Sequence, residues 1–198
     1  MAETIIDGTG KGFEVKVDST NRLHVHSVNE SLVEFAASNG DSYNINTGTL
    51  VLTSALESSL LYFKNNGDFE VHISSIGFLM GNSTGGVGDV NITVVKNCSL
   101  GTVVTDAVEV DINENKNTGS SKELSLQAYK GGEGKTLTNG VDTYYSLIAG
   151  AARPYVITTG TIVVPKGGSI GVKLTPQTSN TAMNVQVFMS VTEYKIDS

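Results

Sequence analysis

The feature that most constrains this chain is the strict alternation of apolar and polar residues in its C-terminal third. In Met183–Val191 every odd position is apolar, and Asn184 and Gln186 lie between them. Ile170–Thr175 repeats the pattern, with apolar side chains at the even positions. A period of two sends successive side chains to opposite faces of a β-strand, so one face is buried and the other meets water. These runs therefore predict antiparallel strands with one wet face.

Glycine and proline mark the ends of these strands. The run from Tyr155 ends at Pro165, Lys166–Gly168 follows as a turn, and Pro176 ends the next run. We interpret Tyr144–Ala152 as a short helix or an apolar crossover. Shorter alternating runs recur at residues 13–17, 43–53, 70–80, 90–94, 104–112 and 124–128. Many short strands separated by turn signals predict an all-β fold, an antiparallel β-sandwich of jelly-roll type.

Three local patterns refine this prediction. Leu60–Lys64 is apolar at successive positions, which predicts a central strand buried on both faces. Asn65–Asp68 is a strong hairpin-turn sequence. The apolar phase changes from odd to even across Ser74–Ser75, and a change of one residue inside a strand is what a β-bulge produces.

The first 40 residues differ from the rest and predict an arm. Residues 5–28 have the pattern of a hairpin that follows a polar, glycine-rich start. Ser31 as N-cap and Glu34 three residues later form a capping-box pattern for one or two helical turns through Ala37. Asn39–Asp41 ends the helix. We therefore expect an N-terminal arm over residues 1–40, used for attachment or intersubunit contacts, and a jelly-roll domain over residues 41–198.

Charge and composition exclude several classes of function. Lys and Arg number 13 against 20 Asp and Glu, a net charge of −7. No Lys/Arg cluster provides the basic patch typical of nucleic-acid binders. No apolar run approaches the ~18 residues that cross a bilayer, and the N-terminus lacks a secretory pattern. We expect a protein made in a cytoplasm, with no nucleic-acid or membrane partner. Cys98 is the only cysteine, and we expect it to be a small buried residue.

Two segments resemble ligand-binding loops but depart from their rules. Gly131–Thr136 looks like the end of a P-loop, but Tyr129 stands where the motif needs its first glycine. Asp111–Lys116 has oxygen ligands at alternate positions, as calcium loops do. Lys116 and Lys122 occupy the positions that an EF-hand gives to Gly and Glu, so an EF-hand is excluded. A looser oxygen-lined cation site in residues 111–122 stays open.

Candidates for catalysis or zinc binding are equally incomplete. His24 and His26 share one strand face, but His72 is the only other histidine, and zinc needs at least three protein ligands. Cys98 has no recognisable catalytic partner, and no serine lies in a nucleophile elbow. The acidic residues cannot be paired as glycosidase carboxylates from sequence alone. The sequence therefore predicts no catalytic, cofactor-binding or metal-binding residues.

Several turn-and-strand segments carry a resemblance to a known group of proteins. They are Asp7–Gly12, Val15–Asp18, Asn21–Leu23, Asn39–Gly48 and Leu61–Asn66. Together they resemble the opening of structural proteins found in tailed-bacteriophage virions. The resemblance implies a non-enzymatic virion component, a β-sandwich that decorates a capsid, and it brings no catalytic residues with it.

We hypothesise a homo-oligomeric decoration or cement protein, most simply a trimer, that binds the major capsid protein and stabilises the outer capsid surface. The arm would add strands to exposed sheet edges, and several arms per oligomer would raise avidity. A fibre or receptor/carbohydrate-binding module is the alternative. The chain has no Trp but seven Tyr to serve as sugar platforms. A hydrolase domain on the same fold is the third hypothesis.

Overall fold

The fold is mostly antiparallel β in the ten ranges that this computed structural model describes. Those ranges are 5–6, 12–13, 32–82, 89–102, 108–109, 114–124, 126–148, 154–157, 162–177 and 183–194. Contacts divide the chain into two compact units, Met1–Ser31 and Leu32–Ser198.

The first unit contains a short antiparallel pair, β1 (Ile5–Ile6) and β2 (Gly12–Phe13). The sequence predicted a hairpin over residues 5–28. The observed pairing is shorter, because it joins Ile5–Ile6 to Gly12–Phe13. Predictions for residues 14–31, including His24, His26 and Ser31, lie outside the described residues.

The second unit contains one helix and thirteen strands in its described part. They are α1 (Leu32–Ser38), β3 (Ser42–Asn46), β4 (Leu50–Leu52), β5 (Ser58–Asn65), β6 (Glu70–Asn82), β7 (Val90–Lys96), β8 (Val108–Glu109), β9 (Glu114–Asn115), β10 (Leu126–Lys130), β11 (Val141–Ile148), β12 (Tyr155–Ile157), β13 (Ile162–Val164), β14 (Ser169–Pro176) and β15 (Met183–Tyr194).

These strands form two sheets that enclose one hydrophobic core. The first sheet has the order β11–β7–β14–β5–β10–β8. The second has the order β12–β6–β15–β3–β9, with β13 also on β6 and β4 also on β15. Alternate residues of both sheets point into the core, as Val187 and Phe78 do in the second sheet and Val172 in the first. The predicted antiparallel all-β class is confirmed, and the alternation in Met183–Val191 reflects a strand with one buried face.

The turn at Asn65–Asp68 corrects a prediction. β5 and β6 do not form a hairpin, because β5 pairs with β10 and β14 whereas β6 pairs with β12, β13 and β15. The segment is a corner at which the chain passes from one sheet to the other. The buried Asn65 side chain holds this corner, since its Nδ2 donates to the carbonyls of Phe69 (2.7 Å) and Val164 (3.0 Å). Turn residues predict a chain reversal, but which strands pair depends on distant partners.

The predicted bulge in β6 is confirmed. Ser75 pairs with Ser190 and Ile73 pairs with Val191, so Ser74 is the extra residue. The Ser74 hydroxyl donates to the Ser190 carbonyl at 3.3 Å. The bulge lets Ile73 and the even-numbered apolar residues that follow point into the same core.

The predicted double burial of β5 is also confirmed, for two separate reasons. Val172 pairs with Leu61 and Lys173 pairs with Ser59, so Leu60 is a second bulge, and both leucines lie in the main core. Tyr62 faces the other side of the sheet. There a second buried cluster covers it, formed with Val95 and Cys98 and flanked by Leu100, Tyr129 and Leu137.

Two further predictions concern helices. The short helix near residues 31–37 is confirmed as α1, and it packs against β3 and β15. Asp41 closes it by donating its backbone N–H to the Ala36 carbonyl at 2.8 Å, with Gly40 at φ 76°. The sequence predicts a short helix or an apolar crossover at residues 144–152, and the helix is wrong for the described residues 144–148, because Val141–Ile148 forms strand β11 against β7. Residues 149–152 lie outside the described part.

Candidate functional site

The glycine-rich loop at residues 131–136 does not present a phosphate cradle. The backbone N–H of Gly131 donates to the Leu60 carbonyl (2.9 Å) and that of Gly132 donates to the Ser59 carbonyl (3.0 Å). The N–H of Gly134 donates to Ser58 Oγ at 3.0 Å. Three loop amides are thus bonded to the start of β5, and the N–H of Thr136 donates to Thr102 Oγ1 at 2.9 Å. The loop therefore ties down the bulged start of that strand.

Glu133 in the same loop is also used structurally. Its carboxylate accepts from the backbone N–H of Thr53 at 2.7 Å and from the Thr53 hydroxyl. Hydrogen bonds from the Ser54 side chain, followed by those from Thr53, lower the pKa of Glu133. This carboxylate stays ionised and fixes the segment between β4 and β5.

The calcium-like segment uses its described residues for other contacts. Residues 111–113 lie outside the described part. The Asn115 side-chain amide donates to the carbonyls of Gly40 (2.9 Å) and Lys122 (3.1 Å), and its oxygen accepts from the Asn117 N–H. The ammonium of Lys116 donates to Ser190 Oγ, and burial lowers the pKa of this lysine. Asn115 therefore holds the loop to the end of α1.

Metal-binding arrangements are missing from the part of the chain that the structure describes: no three His, Cys, Asp or Glu residues converge there. His72 lies on β6 beside Glu70 (3.4 Å) and against the ring of Tyr194, with centroids 4.2 Å apart. Within those same ranges no helix is long and apolar enough to span a bilayer.

Cys98 is buried, as expected. Its thiol donates weakly to the Val95 carbonyl at 3.7 Å. Burial raises its pKa, which keeps the sulfur protonated and unreactive near neutral pH. The thiol belongs to the second buried cluster.

Two carboxylates meet at one lysine on the outer side of the first sheet. Lys173 Nζ lies 3.3 Å from Glu57 Oε2 and 3.4 Å from Asp142 Oδ1, and the lysine side chain is 16% exposed. These two contacts link the residue before β5 to β11 through Lys173 of β14.

A polar cavity of about 330 Å³ lies at one end of the first sheet. Its lining residues are Tyr62, Lys64, Asn97, Cys98, Ser99, Gly167 and Ser169. The Ser169 hydroxyl donates to the Cys98 carbonyl at 2.7 Å, and Asn97 lies in the left-handed region with φ 53°. The cavity offers an ammonium, a carboxamide and hydroxyls to a small polar ligand.

An exposed part of the outer side of the second sheet is formed by three rows of directly paired residues, which we call the open face. The first row runs Val156–Gly77–Phe188–Asn46, the second is Leu79–Gln186, and the third runs Gly81–Asn184–Val51.

Side-chain packing makes the open face flat and apolar in patches. The Phe188 ring lies directly over Gly77, where a Cβ would overlap it. Val51, Leu79 and Val156 are 52%, 41% and 47% exposed. The described residues of the three rows carry no charge, so the surface suits another uncharged protein surface.

Sequence reasoning missed the open face because it depends on register. Period-two alternation shows that Gln186 and Phe188 point away from Val187, but it does not show which residues of other strands lie beside them. Phe188 is an apolar residue on the side of its strand that is otherwise polar, and this was the one feature of the sequence that could have indicated an exposed apolar surface.

Comparison with known proteins gives no matching family model and no match among curated proteins.

Proposed function

We propose that this chain is a non-enzymatic structural protein of a tailed-bacteriophage virion, a decoration or cement protein that binds the outer capsid surface. The observation that carries the proposal is the division into a small N-terminal unit, residues 1–31, and a β-sandwich. The main-core residues of the described part all lie between Tyr43 and Val191. We assign attachment to the N-terminal unit and the formation of this core to the sandwich.

Physical considerations support a role for that segment in binding. A two-stranded hairpin on its own is marginal in water and gains stability from a partner surface. On the major capsid protein, the segment would add strands to an exposed sheet edge, a contact made mainly by backbone hydrogen bonds. A homo-oligomer would present several such segments, and a trimer was expected from the sequence. Their combined avidity would tolerate a weak single contact.

The charge of the chain supports an outer position on the particle. At −7 the protein is repelled by the phosphates of packaged DNA, which fills the inside of a phage head. The protein would thus be made in the host cytoplasm and added to the outside of the shell, without nucleic-acid or membrane partners.

The order of strands supports a jelly roll as the finer description of the body. The four strands β11–β7–β14–β5 place the late strand β14 between two early ones. The successive strands β5, β6 and β7 alternate between the two sheets, as do β13, β14 and β15. Such long returns are typical of Greek-key and jelly-roll sandwiches. In this description β3, β4 and β9 extend the second sheet beyond β15.

A fibre or receptor module that binds carbohydrate is the second candidate. The observation that favours it is the polar cavity beside Tyr62, where Asn97 and Ser99 line a space large enough for a small polar ligand. Clustered amides and hydroxyls of this kind bond to the hydroxyl groups of a sugar, and recognition here would depend on them, because the Tyr62 ring is buried.

Antibody labelling of virions separates the two candidates. Gold-labelled antibody against the sandwich, applied to negatively stained particles of the phage that encodes this chain, should decorate the head surface. Label confined to the tail or to fibre tips would contradict capsid decoration and favour the carbohydrate-binding module. Antibody adsorbed beforehand with the purified protein is the control.

A further inference from the structure

We propose that the open face binds the open face of a second copy of this chain, so that two sandwiches pair back to back. The contact would form in the purified protein. Three observations support it: the charge of the face, its shape and its exposed apolar side chains.

Charge favours a second copy as the occupant. Two copies of a chain with net charge −7 repel each other over most of their surface. The three rows of the open face carry Asn, Gln, Gly and apolar residues in their described part and no charged side chain. The nearest charge along β15 is that of Lys116, whose ammonium donates to Ser190 at the next row. The open face is therefore where two copies meet at the lowest electrostatic cost.

The open face presents both an exposed side chain and a groove beside it. Leu79 projects beside a shallow groove of about 210 Å³, which Gly81, Asn184 and Gln186 help to line. A Cβ placed on Gly81 would meet nothing within 4 Å, so there is open space above this residue. In a two-fold pair, residue i contacts residue j and j contacts i. Leu79 of each copy would then enter the space above Gly81 of the other.

The exposed apolar side chains provide the driving force. Val51, Leu79 and Val156 are each more than two-fifths exposed, and all three lie on this one face. Pairing would remove them from water together with the outer surface of the Phe188 ring. The polar residues of the three rows are Asn46, Asn184 and Gln186, and the amide groups that remain beside the bond from Gln186 Nε2 to Asn46 Oδ1 can bond across the contact.

The size of the face sets the expected strength. Four strands about 4.8 Å apart and five residues at about 3.3 Å give roughly 300 Å² of flat area per copy. Two copies contribute roughly 600 Å² in total, which is below the ~1,000 Å² that a stable specific interface buries, so the dimer should be weak, transient and dependent on concentration. A two-fold contact pairs the copies and so gives assemblies with an even number of chains, whereas the sequence led us to expect a trimer.

Sedimentation equilibrium of the full chain over a wide concentration range tests the proposal. The wild-type protein should pass from monomer to dimer, and Leu79→Glu should weaken the association at least tenfold by placing two carboxylates in the contact. Gly81→Leu should have the same effect by filling the groove without adding charge. Leu56→Glu is the matched control, because Leu56 is 61% exposed but lies outside the open face, and it should dimerise as the wild type does.

Thermal melts of each variant show whether a loss of dimerisation is caused by unfolding. Gly81→Leu changes an open position, so it should retain the wild-type melting temperature even if Leu79→Glu does not. A wild-type protein that stays monomeric at every concentration would overturn the proposal. So would a dimer or trimer that Leu79→Glu and Gly81→Leu leave unchanged. If the chain is monomeric and Leu79→Glu instead loses binding to virions, the face contacts the capsid rather than a second copy, which also overturns the proposal.

Discussion

At the scale of single residues, three glycines illustrate how this sandwich is shaped. Gly131 lies against the Ser59 carbonyl at the β5 bulge, where any Cβ would overlap the oxygen. Gly77 lies under the Phe188 ring, and Gly81 has open space above it. The same residue type therefore lets a loop lie against a strand, makes room for an aromatic ring and leaves a groove open. Sequence alone cannot distinguish these roles, because each depends on a residue distant in the chain.

Replacing Gly131 by Ala should destabilise the fold. The added methyl group meets backbone rather than a flexible side chain, so we expect a loss of about 1–3 kcal/mol in the free energy of unfolding. Urea denaturation of the variant and the wild type measures it. Gly132→Ala is the control, since its nearest neighbour would be Lys135 Cγ at 3.8 Å, and it should stay within about 0.5 kcal/mol of wild type. Equal effects at both positions would contradict the role given to Gly131.

Tyr43 should make the protein sensitive to alkali. Its side chain is 1% exposed, and burial, with smaller contributions from Glu193 and Asp41, raises its pKa to about 12. The folded state thus favours the neutral phenol more than the unfolded state does. The resulting stability is complete below 10.0, the ordinary pKa of a tyrosine, and is lost as pH rises from there towards about 12.

The Tyr43→Phe variant tests this, because phenylalanine cannot ionise. The free energy of unfolding of the wild type, relative to that of the variant, should be constant below pH 10 and should fall above it by up to roughly 3 kcal/mol. Melting curves of both proteins across this pH range measure the difference. Parallel curves for both proteins up to pH 12 would show that Tyr43 ionisation is not linked to unfolding.

At the scale of elements, corners and bulges determine how the strands are assembled. Alternation predicted β6, β14 and β15 because the pattern of burial along one strand is local. The same information did not reveal that β5 and β6 belong to different sheets. The bulge at Ser74 was predictable, since it leaves a change of phase in the sequence itself. The bulge at Leu60 leaves no such signal, because it produces only a run of consecutive apolar residues. The second buried cluster beside Tyr62 produces the same pattern in the sequence.

Asn65 is the residue on which the corner between β5 and β6 depends. Its side chain donates twice, to Phe69 and Val164, and accepts from the Gly67 N–H at 3.0 Å. Asn65→Ala leaves these backbone groups unpaired and should cost roughly 2–4 kcal/mol, because buried polar groups pay their full desolvation penalty.

Chemical denaturation of Asn65→Ala beside Asn66→Ala measures the effect. Asn66 is the adjacent exposed residue, and its variant should remain close to wild type. An Asn65→Ala protein as stable as the Asn66→Ala control would mean that the corner is held by the ion pair between Lys166 and Asp68 instead.

At the scale of the whole molecule, the position of the boundary between the two units determines which residues a truncation can remove. An arm over residues 1–40 was expected from the Asn39–Asp41 break, and its role in attachment stays a prediction. The second unit begins at Leu32, and α1 is tied to the sandwich where Asn117 Nδ2 donates to the Ser38 carbonyl at 2.8 Å. A truncation that tests attachment should therefore end at Ser31, so that this helix and its contacts remain.

The occupancy of virions by a chain that lacks residues 1–31 decides whether the N-terminal segment is the anchor. Particles without the native protein are mixed with the full-length or truncated chain, and bound protein is quantified after sedimentation of the particles. The truncated chain should melt cooperatively, because its main core is intact, yet it should fail to bind particles that the full-length chain saturates. A truncated chain that binds at full-length occupancy would refute attachment through this segment and place the attachment surface on the sandwich.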